Sequence, residues 1–299
     1  MSIQPGRIPR ARRATGLLRT ALLAGLLMPL SQVAGNTAAT AAPADRFAAF
    51  KAGSSTAVDH SAWDKLLKTY VVAGADGINR VDYARFKSEG HAALKRYVAA
   101  LEKTDVSGLD RPEQFAFWAN LYNAKTVDVV LDKYPVKSIK DISLGGGLLT
   151  LVTGGPWKAK IMKVGGEPLS LDDIEHEILR PLFKDPRVHY AVNCASLGCP
   201  NLGTMAFTGA GLGDQLDAAA RAFANHRRGI EVVDGKVKAS SIYNWFQKDF
   251  GGTDQGVLEH VRSFATAELK AGLAGINSIS SYDYDWSIND IARSRTTGN

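Results

Sequence analysis

The sequence predicts an α+β fold, helix-rich, with a small and mostly antiparallel sheet. Three observations predict it. Apolar residues recur at helical spacing over several segments, only short segments alternate as strands do, and Asp234-Gly235 separates two of these short segments as a hairpin turn would. The chain has 299 residues, of which 45% are hydrophobic and 22% charged, values that suit a folded globular protein and argue against a disordered one.

The predicted elements begin and end at recognisable residues. Asp110 is the expected cap of the strongest helix, Pro112 lies in its first turn, and Pro135 ends it. Ser170 and Asp173 form a predicted capping box for a second clear helix. In chain order we predict helix 61–72, strand 78–86, helices 90–101, 110–134 and 169–182, strand 187–193, helix 211–226, hairpin strands 230–233 and 236–239, a helix from 240 or 241 to about 250, helix 255–273 and a strand within 279–289.

The N-terminal segment has the features of an export signal. Residues 1–41 hold five arginines and no acidic residue, an apolar run over 21–30, and Ala39-Thr40-Ala41 as an A-x-A cleavage site. Residues 42–60 are rich in Ala, Ser and Gly and are predicted to be a linker, and 61–299 are predicted to form a single domain. No later apolar stretch approaches eighteen residues, so we expect a periplasmic or secreted protein with no stable membrane insertion after cleavage.

Charge narrows the range of partners. The formal net charge is +6, but the chain beyond residue 41 has 31 basic and 30 acidic residues. A nucleic-acid partner is therefore not predicted. We expect a small molecule, a peptide or a cell-envelope polymer instead.

Several polar side chains fall on helix faces that should be buried. Glu175 lies within the apolar arc of helix 169–182, so it needs a partner such as Arg180, His176 or His189. It would then form either a structural ion pair or part of a catalytic group. Asn120 and Asn123 share one face of the otherwise apolar helix 110–134. Such amides either hold a neighbouring loop or line a pocket.

Cys194 and Cys199 are the only cysteines, in the stretch Asn193-Cys-Ala-Ser-Leu-Gly-Cys-Pro200. A cysteine at the end of a strand is well placed as a nucleophile if a base lies within reach. On an extended strand His189 would be about 16 Å from Cys194, which makes His176 the freer base. A disulfide and inert packing stay open as alternatives. Zinc held with these histidines matches no usual ligand spacing, so neither a metal nor another cofactor is predicted.

Taken together, these segments resemble a known family, the domain of unknown function 547, over about residues 63–289. The matching segments are Phe117-Trp-Ala-Asn-Leu-Tyr-Asn123, Leu169-Ser-Leu-Asp-Asp-Ile-Glu-His176 with Arg180, Asp185-Pro-Arg-Val-His189, Asn193 to Pro200, Ser241-Ile-Tyr-Asn-Trp-Phe246 with Asp249-Phe250, and Tyr284-Asp-Trp-Ser-Ile-Asn289. The resemblance implies no activity, because none is assigned to the family. The family pattern does include the polar residues singled out above, which favours one shared site.

The leading hypothesis is a thiol-dependent hydrolase or acyltransferase. Its catalytic residues would be Cys194 as nucleophile, His176 or His189 as base, and Glu175 to orient the base. Substrate-binding or orienting roles are predicted for Asn120, Asn123, Arg180, Asn193 and Ser196. The rival hypothesis is a non-enzymatic cell-envelope binding or structural module, in which Tyr282, Tyr284 and Trp286 either line a groove or pack in the core.

Overall fold

The fold is α+β and helix-rich, as predicted. A computed structural model describes residues 42–144 and 155–294. The predicted signal peptide lies outside the described residues. In the described part of the chain, no helix combines the length and apolarity that crossing a membrane requires.

The first half of the chain is mainly helical. Its elements are α1 (Pro43–Arg46), α2 (Ser61–Tyr70), β1 (Val71–Ala73), β2 (Asn79–Val81), α3 (Tyr83–Arg85), a π-helical turn (Phe86–Gly90), α4 (His91–Leu101), a 3₁₀ turn (Val106–Gly108), α5 (Arg111–Lys133) and a second 3₁₀ turn (Ile139–Asp141).

The second half carries most of the strands. Its elements are β3 (Met162–Val164), β4 (Glu167–Leu169), a π-helical segment (Asp173–Leu179), α6 (Arg180–Phe183), α7 (Val188–Ala191), α8 (Leu212–Ala224), β5 (Ile230–Val233), β6 (Lys236–Ser240), α9 (Ser241–Trp245), a 3₁₀ turn (Gln247–Phe250), α10 (Asp254–Phe264), α11 (Ala267–Gly272), β7 (Ser281–Asp283) and α12 (Ile291–Ser294).

The strands form small sheets that are mostly antiparallel. β1 pairs with β2, and β3 pairs with β4, in each case as an antiparallel hairpin. β5 and β6 form the hairpin predicted at Asp234-Gly235, with Ile230 opposite Ala239. β7 adds to this hairpin in parallel, with Ser281 opposite Lys238. This parallel pairing brings the C-terminal segment back beside α9 and the cysteine loop.

Helix α5 is the centre of the larger core. The Asp110 carboxylate accepts the Glu113 backbone N–H at 3.0 Å, which confirms the predicted cap. The helix is buried on nearly all sides, including Phe117, Trp118 and Leu121. α5 therefore lies inside the core, and its buried polar side chains, such as Asn120 and Asn123, need hydrogen-bond partners there.

A second core forms around α8, the β5–β6 hairpin and α10. Tyr190 belongs to this second core, whereas Val188 and Ala191 belong to the first. The single turn of α7 therefore lies where the two cores meet. This position fixes the side chain of His189, which α7 carries.

Residues 42–60, predicted to be a linker, lie against the α5 region. The Phe47 ring meets the Trp118 ring edge-on, with centroids 4.8 Å apart. Ser54 donates to the Gly108 carbonyl at 2.8 Å, and the Val58 N–H donates to Glu113 at 2.8 Å.

Three predicted elements differ most from the structure. The strand predicted over 187–193 is wrong, because Val188–Ala191 form a helical turn that closes on Asp185 and Pro186. The strand predicted over 78–86 extends only over Asn79–Val81, since Asp82 caps α3. The helix predicted over 255–273 is broken at Ala265, and Thr266 caps the second part. In each case local capping or tertiary packing outweighs the side-chain pattern.

Candidate active site

The cysteines, the two predicted histidines and Glu175 line one cleft of about 180 Å³. Several elements supply its walls, among them α5, the π-helical segment, α7, the cysteine loop and α9. Six aromatic rings contribute to the lining, from Tyr122, Trp157, Trp245, Phe246, Tyr284 and Trp286. The cleft is the natural place for a substrate.

The two cysteine sulfurs touch each other in this cleft. No disulfide bond joins them, and their Sγ atoms lie 2.6 Å apart, closer than the van der Waals contact distance of two sulfur atoms. The Tyr284 hydroxyl lies 3.0 Å from the sulfur of Cys194 and donates to that of Cys199 at 3.2 Å. Ser196 Oγ lies 3.2 Å from the Cys194 sulfur. Cys194 is partly exposed as a residue, whereas Cys199 is only 4% exposed, and both residues line the cleft.

The loop between the cysteines is held by asparagines. The Asn193 side chain accepts the Ala195 N–H at 2.8 Å and donates to the Pro200 carbonyl at 2.7 Å. Ala195 has φ of 59°, a left-handed conformation that is uncommon for a residue with a Cβ. Asn193 therefore ties both ends of the loop and supports its strained residue.

Cys199 is the more acidic member of the thiol pair. Burial raises the pKa of Cys199, but hydrogen bonds from the Cys194 thiol, the Tyr284 hydroxyl and the Cys194 N–H outweigh burial and lower it to about 7. Burial and the adjacent Cys199 sulfur raise the pKa of Cys194 well above 9.0. Two sulfurs in contact cannot both ionise cheaply, so one proton stays between them.

Arg228 lies behind the cysteine loop. It donates to the Leu197 carbonyl at 3.0 Å and to Asn201 Oδ1 at 2.6 Å, on either side of Cys199. Among the described residues, no carboxylate comes within ion-pair distance of this guanidinium. Burial lowers the pKa of Arg228 to about 10, and the charge of Cys199 opposes that shift. Arg228 is thus placed to stabilise the thiolate.

His189 is fixed by an ion-pair network. Its Nε2–H donates to Asp249 at 2.7 Å, and its ring stacks on Phe246 with centroids 4.1 Å apart. Arg180 donates to both oxygens of the same carboxylate, at 2.6 and 3.1 Å. The His189 side chain is only 1% exposed. The hydrogen bonds from His189 and Arg180 hold the pKa of Asp249 well below its ordinary value.

Glu175 and His176 stand beside this network. Glu175 Oε1 lies 3.7 Å from His189 Nδ1 and 3.9 Å from His176 Nδ1. Burial raises the pKa of Glu175, but the two histidines and the Tyr122 hydroxyl outweigh it, so the carboxylate is ionised at neutral pH. Arg180 Nη1 also lies 3.3 Å from His176 Nδ1.

Asn120 and Asn123 hold loops and are not among the residues that line the cleft. Asn123 accepts the Asn193 N–H and donates to the Ala191 carbonyl, both at 2.8 Å. Asn120 makes a reciprocal pair with the backbone of Phe207. Asn123 therefore anchors the start of the cysteine loop on α5.

One cluster of side chains that could bind a metal ion lies away from the cleft. Among the described residues, His91, Asp128 and Asp132 bring their ligand atoms within 4.8 Å of one another. Lys95 and Lys125 both contact Asp128, at 2.8 and 2.9 Å. These cations already neutralise the carboxylates, so the group is explained as an ion-pair network.

Sequence reasoning missed Asp249 and Arg228 as site residues. Asp249 lies in a segment that resembles the family, but the sequence predicts no role for it. Nothing in the spacing links it to His189, sixty residues away. Arg228 lies in a basic stretch of His and Arg that is typical of a surface turn. The sequence predicts that Tyr284 lies in a groove or in the core, and it does not predict the contact with both sulfurs.

The comparisons with known proteins concern the segment that carries most of these residues. The family model described as "Protein of unknown function, DUF547" matches residues 106–224. This segment belongs to the DUF547 family. It includes both cysteines, His176, His189 and Glu175, whereas Arg228, Asp249 and Tyr284 lie beyond the match. Searches among curated proteins and among solved structures found no match.

Proposed function

We propose that this DUF547 protein is a thiol-dependent hydrolase or acyltransferase with Cys194 as its nucleophile. The proposal is supported above all by the contact between the Cys194 and Cys199 sulfurs in the wall of an aromatic cleft, with Cys194 the more exposed of the two residues. A thiol pair that carries one negative charge near neutral pH is a strong nucleophile under ordinary conditions.

In this proposal Cys199 accepts the proton of Cys194. Among the described residues, the hydrogen-bond partners of the Cys194 thiol are Ser196, Cys199 and Tyr284. His189 Nε2 is committed to Asp249, and Arg180 Nη1 lies 3.3 Å from His176 Nδ1. A group whose pKa is about 7 is well suited to take and return a proton at neutral pH. An imidazole base, as the sequence predicted, is the alternative that the experiment below distinguishes.

The reaction then proceeds in two balanced steps. The Cys194 sulfur attacks the acyl carbon as its proton moves to Cys199, and the bond to the leaving group breaks as Cys199 returns that proton to the leaving group. Water or another acceptor attacks the thioester as its proton passes to Cys199, and the carbon–sulfur bond breaks as Cys199 returns that proton to the departing Cys194 sulfur. His176 lines the cleft, and in this proposal its Nε2–H donates to the substrate oxygen.

A simple acyl donor tests the proposal. The full-length reduced protein is mixed with p-nitrophenyl acetate at pH 7.5, and nitrophenolate release is followed. Because both cysteines lie in the tryptic peptide 188–221, fragmentation of that peptide locates the acetyl group. We expect one acetyl group on Cys194, and none in Cys194→Ser. Acetylation elsewhere, or equal acetylation of both proteins, would overturn the proposal.

Two further variants identify the base. Cys199→Ser should slow acylation of Cys194 at neutral pH by roughly tenfold, because the proton acceptor is lost. His176→Gln should reduce turnover while leaving the pH at which the thiol pair ionises unchanged. If instead His176→Gln abolishes that ionisation and Cys199→Ser does not affect it, an imidazole is the base.

We also propose that the protein acts in the periplasm or outside the cell. The proposal is supported by the arginine-rich start, the apolar run and the Ala39-Thr40-Ala41 motif within residues 1–41. Cell fractionation with N-terminal sequencing of the mature chain tests it. A cytoplasmic protein that retains residues 1–41 would contradict it.

A further inference from the structure

The two sulfurs in the cleft are closer than unbonded sulfur atoms normally approach. Their Sγ atoms lie 2.6 Å apart, whereas the bond of a disulfide is about 2.05 Å long. A movement of roughly half an ångström would therefore bring them to bonding distance. Repulsion at the observed distance is relieved in one of two ways, either by separation of the sulfurs or by a covalent bond between them.

The loop that carries the sulfurs is fixed, which opposes their separation. The Asn193 side chain holds both ends of this loop. In its middle, the backbone N–H groups of Leu197 and Gly198 donate to carbonyls of the C-terminal segment 285–287, both at 2.8 Å. The backbone therefore keeps the cysteines together without a covalent bond, and a disulfide could form without rearrangement of the loop.

Hydrogen bonds to the sulfurs stabilise the reduced pair. The Tyr284 hydroxyl lies within 3.2 Å of both sulfurs, and the Cys194 N–H donates to the Cys199 sulfur at 3.0 Å. Burial raises the pKa of Cys199, but the Cys194 thiol and these donors outweigh burial and lower that pKa to about 7. Because a thiolate accepts hydrogen bonds more strongly than a disulfide sulfur does, the same donors make a disulfide here easier to reduce.

The size of the cleft favours a small oxidant. Both cysteines line the cleft, whose volume is about 180 Å³. A water molecule occupies about 30 Å³ in the liquid, so a hydroperoxide group, with two oxygen atoms, fits beside the sulfurs. A folded protein that carries its own disulfide does not fit.

We propose that Cys194 and Cys199 form a reversible disulfide when a small hydroperoxide enters the cleft, and that this disulfide is the inactive form of the thiol site. The inference deepens the proposed function and rests on it only for the loss of activity. A disulfide leaves no thiol on Cys194 to attack an acyl carbon. Small thiols would return the pair to its active form.

With hydrogen peroxide the oxidation has two balanced steps. The Cys194 sulfur attacks one peroxide oxygen, the oxygen–oxygen bond breaks, and the departing oxygen takes the Cys194 proton and leaves as water. The Cys199 sulfur then attacks the Cys194 sulfur, the sulfur–oxygen bond breaks, and the departing hydroxide takes the Cys199 proton to form a second water. Two electrons pass from the sulfurs to the peroxide, which is reduced to water.

Mass spectrometry of the unsubstituted full-length protein tests the redox change. The reduced protein is treated with hydrogen peroxide, quenched with catalase, unfolded in urea and alkylated with iodoacetamide, and peptide 188–221 is then weighed. We expect this peptide to lose two hydrogen atoms and to take up no alkyl group. Counting alkyl groups keeps the disulfide apart from oxidation of the exposed Met205, which adds oxygen to the same peptide. Treatment of the folded, oxidised protein with 2-mercaptoethanol should restore two alkylated thiols and acetylation by p-nitrophenyl acetate.

The matched variants are Tyr284→Phe and Tyr282→Phe. The Tyr282 hydroxyl donates to Asp254, and Tyr282 is not among the residues lining this cleft, so its variant controls for the loss of one hydroxyl. In mixtures of 2-mercaptoethanol and its disulfide, Tyr284→Phe should shift the ratio of disulfide to dithiol roughly fivefold toward the disulfide, because the reduced sulfurs lose a donor. Tyr282→Phe should leave this ratio unchanged. Thermal melting checks that both variants are folded.

Two results with the unsubstituted protein would overturn the inference, and neither needs a folded variant. One is a pair of alkylatable thiols that remains after peroxide treatment. The other is a disulfide that 2-mercaptoethanol does not reduce in the folded protein, as is typical of a structural disulfide. Equal ratios in the two tyrosine variants would overturn the role of Tyr284 in keeping the pair reducible.

The mass measurement separates this inference from the proposed function, because it requires no acyl substrate. A reversible disulfide in a protein whose reduced form is not acetylated by p-nitrophenyl acetate would refute the proposed function alone. Acetylation of Cys194 in a protein that forms no disulfide would refute this inference alone.

Discussion

Asp249 joins Arg180 to His189 in the ion-pair network, and its replacement by asparagine tests that network most directly. The carboxylate accepts three charge-assisted hydrogen bonds, two from Arg180 at 2.6 and 3.1 Å and one from His189 at 2.7 Å. Asparagine has the same shape but only one acceptor oxygen. Its NH₂ group would therefore face an N–H donor, either that of His189 or one of Arg180.

The expected cost follows from these contacts. Breaking a buried ion pair by removing one partner typically costs about 3–5 kcal/mol. The Asp249 side chain is 26% exposed, so water can replace part of the loss. We therefore expect Asp249→Asn to lower the free energy of unfolding by about 2–4 kcal/mol at pH 7.

Urea unfolding followed by circular dichroism measures this difference. The control is Asp217→Asn, because Asp217 pairs with Arg187 at 2.7 Å but is 41% exposed. An exposed pair contributes less than about 1 kcal/mol. If Asp249→Asn costs no more than Asp217→Asn, the network does not stabilise the fold and our account of His189 is wrong.

The stability difference between the unsubstituted protein and Asp249→Asn should depend on pH, with a sign set by the pKa of Asp249. The hydrogen bond from His189 and those from Arg180 lower the pKa of Asp249 from its ordinary 3.8 in the folded protein. A lowered carboxyl pKa stabilises the folded state above that ordinary value, and the stabilisation is lost as the pH falls below it. The stability difference between the protein and Asp249→Asn should thus be full at pH 6 and shrink below about pH 4. A difference that grows on acidification would contradict this assignment.

Three other substitutions test the thiol pair and its loop. Arg228→Met should raise the lower thiol pKa above about 7, because the thiolate loses a nearby cation, whereas Arg228→Lys should keep it close to 7. Thiolate absorbance at 240 nm, recorded against pH, measures this pKa. An unchanged titration in Arg228→Met would show that Arg228 does not stabilise the thiolate. Tyr284→Phe should raise the same pKa by less, about one unit or below, since a single neutral donor is lost. Asn123→Ala should lower the free energy of unfolding by about 1–3 kcal/mol, because the buried Asn193 N–H loses its acceptor. Urea unfolding measures this, and an unchanged midpoint would contradict it.

The parts of the fold that the sequence predicted are those with local causes. The Asp110 cap and Pro112 set the start of α5, and the Asp234-Gly235 turn sets the β5–β6 hairpin. The failure at 187–193 has a tertiary cause. Its Val, His and Tyr side chains suit a strand as well as a helical turn, and the meeting of two cores selects the turn.

That failure changed the expected geometry of the site. An extended strand would have placed His189 about 16 Å from Cys194. With α7 as a helical turn, both residues line the same cleft. The partners of His189 and Cys199 could not have been predicted, because Asp249 and Arg228 come from elements distant in the chain. Long-range pairs of this kind have no periodicity or spacing by which one sequence reveals them.

The central claim is that Cys194 and Cys199 share one negative charge near neutral pH and that Cys194 presents the reactive sulfur. The most direct measurement is the rate of iodoacetamide alkylation against pH on the reduced protein, with peptide mapping of the modified residue. Our account predicts that Cys194 is modified first, with a rate that inflects near pH 7, and that Cys199→Ser moves the inflection toward the ordinary thiol value of about 8.5. An inflection at 8.5 or above in the unsubstituted protein, or modification of Cys199 alone, would contradict the account.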